Sequence, residues 1–215
     1  MASDGPTAPG DQPGAGSGSG AADQPGAGDQ PGAGARVDSP AYGFAGGPES
    51  HGSSGGPPLH ELLLPLAFLV GVWVGEGEGR YPTVTPFRYG EEIHVWHTGK
   101  PFLAYAQRTW DLDDGRPLHA ETGYWRLAGN GKVELVLAHP TGVAEVSEGE
   151  AAGTSVSLSS RSLGLTSTAK QVTEPVRRFE VKGTRLTETL EMAAMGHPLQ
   201  PHLHAVLEQV ARAKP

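Results

Sequence analysis

The chain has 215 residues, 32 of them Gly and 19 Pro, no cysteine, and a formal net charge of −8. Of these, 16 Gly and 9 Pro precede Leu59, which leaves about 157 residues of ordinary globular composition, enough for one domain and too few for a two-domain enzyme of normal size. The absence of cysteine excludes disulfide frameworks, thiolate metal sites, CxxC redox chemistry and a cysteine nucleophile, and the acidic balance gives no support to nucleic-acid binding.

Residues 1–58 carry only seven charged side chains, Asp4, Asp11, Asp23, Asp29, Asp38 and Glu49 against Arg36, and very few apolar ones. Asp11-Gln-Pro-Gly-Ala-Gly16 recurs at 23–28 and at 29–34. A six-residue Pro-Gly period without apolar positions has no face to stack, so the segment reads as a disordered, low-complexity leader that serves solubility, spacing or weak partner binding. The folded domain is expected over 59–215.

The domain opens on an apolar run, 62–74, interrupted by Pro65 and Gly71. A membrane-spanning helix needs roughly 20 residues, so no bilayer crossing is expected; no signal-peptide pattern precedes it, and the expected location is the cytoplasm. Residues 59–70 read as a short helical plug.

Short segments rich in Val, Leu, Thr, Tyr and Trp follow, separated by Gly-containing turns such as Asp113-Asp114-Gly115, Gly129-Asn130-Gly131 and Lys182-Gly183. The candidate strands are 72–77, 87–97, 103–111, 118–127, 132–139, 142–150, 155–163, 165–170, 175–182 and 185–194. Residues 185–192 alternate polar and apolar positions, as a strand with one dry face does. Ten meandering strands favour closure, because a closed sheet has no aggregation-prone edges. The terminal segment 205–213 carries a helical signal of its own.

Three constellations could carry chemistry. Gly71-Val-Trp-Val-Gly-Glu-Gly77 clears side chains from one strand face, which lets the strand bend or lets backbone or a flat ligand approach; Trp73 then plugs the barrel end or contacts a ligand. Arg80-Tyr-Pro-Thr-Val-Thr-Pro-Phe87 stiffens a loop that presents Thr83 and Thr85, either to a ligand or as turn caps. Met192-Ala-Ala-Met-Gly-His-Pro-Leu-Gln-Pro-His-Leu-His204 concentrates three histidines and two methionines. They form an incomplete zinc set, whereas haem needs only one imidazole beside an apolar cavity; a structural histidine is the third alternative. His119 and His139, near strand ends, read as solvated or turn residues, and Glu91 and Glu92 point to opposite faces and make a poor glycosidase pair. Serine-triad, zincin and nucleotide-binding motifs are absent from the sequence.

From about residue 62 to 210 the chain resembles the nitrobindin family, small haem-binding β-barrels also described as peroxynitrite isomerases. The matches are Gly71-Val-Trp-Val-Gly-Glu-Gly77, which fits the family's GxWxGxG through Gly71, Trp73, Gly75 and Gly77; Tyr81-Pro-Thr-Val-Thr-Pro-Phe-Arg-Tyr89; Gly99-Lys-Pro-Phe-Leu103; Pro117-Leu-His-Ala-Glu-Thr-Gly-Tyr124; Thr141-Gly-Val-Ala-Glu-Val146; and Pro198-Leu-Gln-Pro-His-Leu-His204. The resemblance implies an all-β fold, a ten-stranded antiparallel up-and-down barrel like that of fatty-acid-binding proteins, with a short helix before the first strand. It also implies one haem b per chain at one mouth.

By the same resemblance, His202 is the axial iron ligand and the catalytic residue, Thr83 contacts the haem, and Lys170 approaches its propionates. The glycine-rich first strand leaves room for the macrocycle, and 205–213 becomes the last strand, with His202 at its start pointing the way of His204 and Val206. The implied activity is isomerisation of peroxynitrite to nitrate at ferric iron, with nitric oxide binding when the iron is ferrous. The alternatives are a nitric oxide carrier or sensor without turnover, and a barrel carrier of an apolar small molecule. An exposed Trp96 or Trp125 would mark the face of a homodimer.

Overall fold

The computed structural model describes residues 57–211. All of the expected leader except its last two residues lies outside them, as do residues 212–215. The apolar run that opens the domain begins with a 3₁₀ helix, Glu61–Leu69. Three residues per turn place Leu63, Leu66 and Leu69 on one stripe, and all three are buried. The His60 side chain caps this helix, its Nδ1 accepting from the Leu62 amide at 3.2 Å. No described helix is long and apolar enough to cross a membrane.

Ten strands follow: β1 Gly71–Tyr81, β2 Val84–His97, β3 Leu103–Asp111, β4 Pro117–Gly129, β5 Lys132–His139, β6 Val143–Ala152, β7 Ser155–Leu165, β8 Val172–Lys182, β9 Arg185–Ala194 and β10 His197–Ala211. Each pairs antiparallel with its neighbour in sequence, and β1 pairs with both β2 and β10, so the sheet closes into the expected barrel. The alternation that marked 185–192 has its physical origin here: Leu186, Glu188 and Leu190 are buried in β9 while Thr187 and Thr189 are not.

One element differs from the sequence reading. The candidate strand 165–170 is not one. Gly164, placed between two candidate strands, continues β7 opposite Ala144, and the residues beyond Leu165 turn, with the Ala169 amide donating to the Thr166 carbonyl at 3.1 Å. The tenth strand is β10, whose later part is the strand that the resemblance implied; pairing with β1 on one side and β9 on the other overrides the local helical signal there. Trp125 is fully buried and cannot mark a dimer face, and Trp96 is half-buried.

The up-and-down order puts the β1–β2, β3–β4, β5–β6, β7–β8 and β9–β10 turns at one end of the barrel. The 3₁₀ helix precedes β1 and stoppers the other end. Trp73, 0% exposed, locks it there, its indole Nε1 donating to the Leu69 carbonyl at 2.8 Å. Above the stopper the interior is filled by Trp125, Tyr105, Phe179, Leu135, Val156, Leu158 and Leu207.

The barrel wall has one weak seam. β7 and β8 pair only from Ser155 opposite Glu180 to Ser159 opposite Val176. Beyond that, β6 still holds β7 as far as Leu165 and β9 still holds β8 as far as Val172. The two strands therefore part into a slit at the open end, spanned by the loop 166–171.

Candidate functional site

Pairing of β10 with β9 slips between Pro201 and Leu203, which makes His202 the extra residue of a bulge. A bulge re-aims the side chain it carries. His204 and Val206 are exposed, whereas His202 is half-buried, so it does not share their surroundings as a regular strand would have it. Its ring meets the Tyr81 ring edge-on at 5.2 Å, and its Nδ1 lies 3.1 Å from the Arg80 carbonyl oxygen. A carbonyl only accepts, so Nδ1 carries the proton and Nε2 keeps its lone pair. Burial lowers the His202 pKa, opposed by the bond to Arg80, and the imidazole is neutral at pH 7.

Tyr81, the last residue of β1, is itself held in place. Its hydroxyl accepts from the Ala194 amide at 2.9 Å and lies 3.2 Å from the Ala194 carbonyl and 3.3 Å from that of Met192. His197 approaches the same ring at 5.8 Å. The end of β1, the end of β9 and the start of β10 are thus tied together around His202.

The topology brings the other expected haem contacts to this rim without placing them against His202. Thr83 is exposed in the β1–β2 turn, and Lys170 is exposed in the loop that spans the slit. Exposed apolar side chains collect at the same end: Val84 at the start of β2, Leu165 at the end of β7, Met195 in the β9–β10 turn and Leu199 in β10. Met195 holds a φ of 50°, an uncommon conformation for a residue with a side chain, and Gly196 beside it one of 81°. A flat apolar macrocycle with acidic edge groups suits a neutral imidazole, neighbouring apolar side chains, and donors or a cation at the margin. The rim carries His202, the exposed Val84, Leu165, Met195 and Leu199, and the hydroxyl and ammonium of Thr83 and Lys170, so its residues fit a haem.

Of the roles open to the glycine motif, Gly75 serves close approach of backbone and Trp73 serves as an end plug, while Gly77 and Gly79 make room for side chains of the neighbouring strand. A Cβ at Gly77 would overlap the Tyr89 ring, and one at Gly79 the Phe87 ring; the space those glycines leave is filled by aromatic side chains rather than kept open. A Cβ at Gly75 would overlap the Val206 carbonyl, so this glycine lets β1 and β10 approach. Gly71 starts β1 with a φ of 146°, and Trp73 lies at the stoppered end.

Between the stopper and the rim lies a layer of buried charge that the sequence reading missed. Arg177 of β8 donates through Nη1 and Nη2 to the two oxygens of Glu121 at 3.0 Å each, and through Nε and Nη2 to Glu145 at 3.1 Å. Glu121 Oε1 also accepts from the Tyr105 hydroxyl at 3.0 Å, and Glu145 Oε1 from Ser147 at 2.6 Å. Burial would raise the Glu145 pKa, but Arg177, His139 and Ser147 outweigh it and hold it at about 2. Glu91 accepts from Gln107. Burial pushes Glu91 up to about 7, and burial together with Glu91 raises Glu188 well above the ordinary carboxylate range. His119 and His139 belong to this layer instead of to solvated strand ends: the His139 side chain is 7% exposed and that of His119 35%. A usable signal was present, since Glu121 shares its strand phase with Trp125, and Arg177 shares its phase with Phe179 and Val181.

Residues 62–209 match the family described as THAP4-like, heme-binding beta-barrel domain. "Peroxynitrite isomerase 2" of Mycobacterium avium is 51% identical over 155 residues, covering 70% of this chain and 96% of that protein. "Peroxynitrite isomerase Rv2717c" of Arabidopsis thaliana is 44% identical over 154 residues, 72% of this chain and 92% of that protein. The crystal structure of Rv2717c from M. tuberculosis superposes with a TM-score of 0.67 at 46% identity, covering 71% of this chain and 99% of that one. Barrel and relatives agree with the resemblance read from the sequence: the chain belongs to the THAP4-like family of haem-binding β-barrels.

Proposed function

We propose that the chain is a cytoplasmic haem b protein, with one haem held through His202 at the slit, that isomerises peroxynitrite to nitrate and binds nitric oxide in its ferrous form. The observation that carries this reading is the commitment of His202 Nδ1 to the Arg80 carbonyl, which leaves Nε2 as a fixed, neutral donor at the open end of the barrel. The names of the relatives supply the reaction. Haem held there would supply the redox-active iron chemistry for the rearrangement of peroxynitrite.

The protein's own part is to bind and orient. His202 gives its Nε2 lone pair, and the bond from Nδ1 to Arg80 sets the ring plane and strengthens that donor. Leu165, Met195 and Leu199 exclude water from the macrocycle's faces. Thr83 offers a hydroxyl and Lys170 an ammonium to its acidic edge groups. The reading as a carrier of an apolar molecule is disfavoured by an interior filled with aromatic rings and ion pairs, which such a cargo would have to displace.

The experiment is a His202→Ala variant compared with wild type, each loaded with stoichiometric hemin. Loss of the Soret band together with loss of accelerated peroxynitrite decay is expected; a variant that keeps both would exclude this ligand. Wild-type protein that binds haem and nitric oxide yet leaves peroxynitrite decay at the rate of buffer would instead make it a carrier or sensor.

A further inference from the structure

We propose that His119, His139 and Glu121 form a second site, for one divalent transition-metal ion of the zinc or ferrous-iron class. The site uses none of the residues expected to hold the haem, although His202 lies near enough to act on His119 electrostatically. The donors are His119 Nε2, His139 Nδ1 and Glu121 Oε2. They come from β4 and β5, adjacent strands that pair antiparallel, and lie within 4.8 Å of one another.

The spacing is that of a coordination shell. The two imidazole nitrogens are 3.2 Å apart, Glu121 Oε2 is 3.3 Å from His139 Nδ1, and it is 3.9 Å from His119 Nε2. Ligands about 2.1 Å from a tetrahedral ion stand about 3.4 Å from each other. Without metal, one ring's only N–H lies in the contact between the two rings; with an ion there instead, that proton sits on its ring's far nitrogen, so that each neutral ring keeps its single N–H at His119 Nδ1 or His139 Nε2.

The carboxylate has room for an ion. Of its four acceptor positions, Glu121 gives two on Oε1 to Arg177 and Tyr105 and one on Oε2 to Arg177, which leaves one on Oε2 facing the histidines. Those same bonds hold the carboxylate rigidly, as outer-shell partners of metal ligands do. Arg177 repels a cation, but it faces Glu145 as well as Glu121, so its single positive charge is outnumbered.

An independent observation comes from the far side of the His139 ring. Its Nε2 is buried and without a hydrogen-bond partner, 3.5 Å from Glu145 Oε2. With Nδ1 on a metal, Nε2 must carry a proton, which it would direct at Glu145 in the carboxylate–histidine–metal arrangement. Burial, opposed by Glu121, lowers the His119 pKa, so that ring is neutral and able to ligate at pH 7. His119 also lines a surface cavity of about 250 Å³ with Trp110, Pro117 and Pro140, so the outermost ligand is reached from solvent. Two imidazoles and one carboxylate leave further positions for water or a small ligand, as in 2-His-1-carboxylate iron and three-ligand zinc centres.

The test is isothermal titration calorimetry of Zn²⁺ into the full-length, haem-loaded protein, with zinc counted by mass spectrometry after dialysis. One ion per chain is expected. His119→Ala and His139→Gln should each weaken binding tenfold or more, while His60→Ala, at the stoppered end, should bind as wild type. His202→Ala should also keep its zinc, which separates this site from the haem ligand. No bound zinc in wild type, unchanged affinity in His119→Ala, or loss of zinc in His202→Ala would each overturn the assignment. His119 is partly exposed and outside the Arg177 ion pairs, so its variant stays informative if His139→Gln fails to fold.

Discussion

The Nδ1–H of His202 is donated to the backbone carbonyl of Arg80 at 3.1 Å, across the β1–β10 seam. The acceptor is main chain, so it is present whatever side chain occupies position 80, and the tautomer of His202 is fixed by the fold itself.

Haem affinity should therefore persist to lower pH than an ordinary histidine permits. The ligating form is neutral imidazole, and burial lowers the His202 pKa, so the proton competes with iron only below the usual imidazole range. Hemin release followed at the Soret band from pH 8 down to 5 should show its midpoint below about 6.5. A midpoint above that value would mean that the ring is stabilised in its charged form.

Removing Arg177 should cost more than removing any other single charge in the barrel. Arg177→Met leaves Glu121 and Glu145 buried without their partner, and breaking a buried pair from one side costs about 3–5 kcal/mol. Urea unfolding read by tryptophan fluorescence checks this, and a loss under about 1 kcal/mol would show that the layer is hydrated.

Stability should fall as pH rises through neutrality. Glu91 titrates near 7 in the folded chain against an ordinary value of 4.5. Between those limits the native state binds the extra proton, so its stabilising effect is complete below 4.5 and is lost as pH climbs to 7, at up to about 1.4 kcal/mol per pH unit. Glu145 has the opposite sign: held near 2, it stabilises above 4.5 and loses that effect as pH falls toward 2. Thermal unfolding from pH 3 to 9 should thus peak on the acid side of neutral, and Glu91→Gln should flatten the limb between 4.5 and 7.

Glycines of the β1 motif should tolerate alanine very unequally. Gly75→Ala forces β1 away from the Val206 backbone, and Gly77→Ala pushes on the buried Tyr89 ring. Overpacking of this kind costs about 1–3 kcal/mol or more. Gly75→Ala should be the worse, since backbone cannot rotate aside, and thermal melts of the two variants decide the order.

The barrel was legible because alternation and turn chemistry repeat ten times over; β3, β5 and β9 were read with their observed limits. The reading faltered at Gly164, which continues β7 where a glycine suggested a break; at 205–211 Ala, Leu and Glu favour helix, and resemblance rather than composition marked the strand that two neighbours pair with. At the candidate site, His202 was named by resemblance alone, since the residues around it left zinc, haem and a structural histidine open. Its tautomer could not be read, because Arg80 is 122 positions away. The charged layer escaped because Glu121, Glu145, Arg177 and Glu188 each sit alone on the dry phase of a different strand, and only closure of the sheet brings them together.

Barrel closure also sets a timetable. Gly75, near the start of the domain, pairs with Leu207, near its end, so the wall cannot be completed while the ribosome is still making β10. Long-range pairing of this kind is slow and leaves strand edges bare in the meantime. Haem capture through His202, as proposed, would then follow synthesis of β10, and before that the nascent barrel has only an unclosed meander to offer a porphyrin.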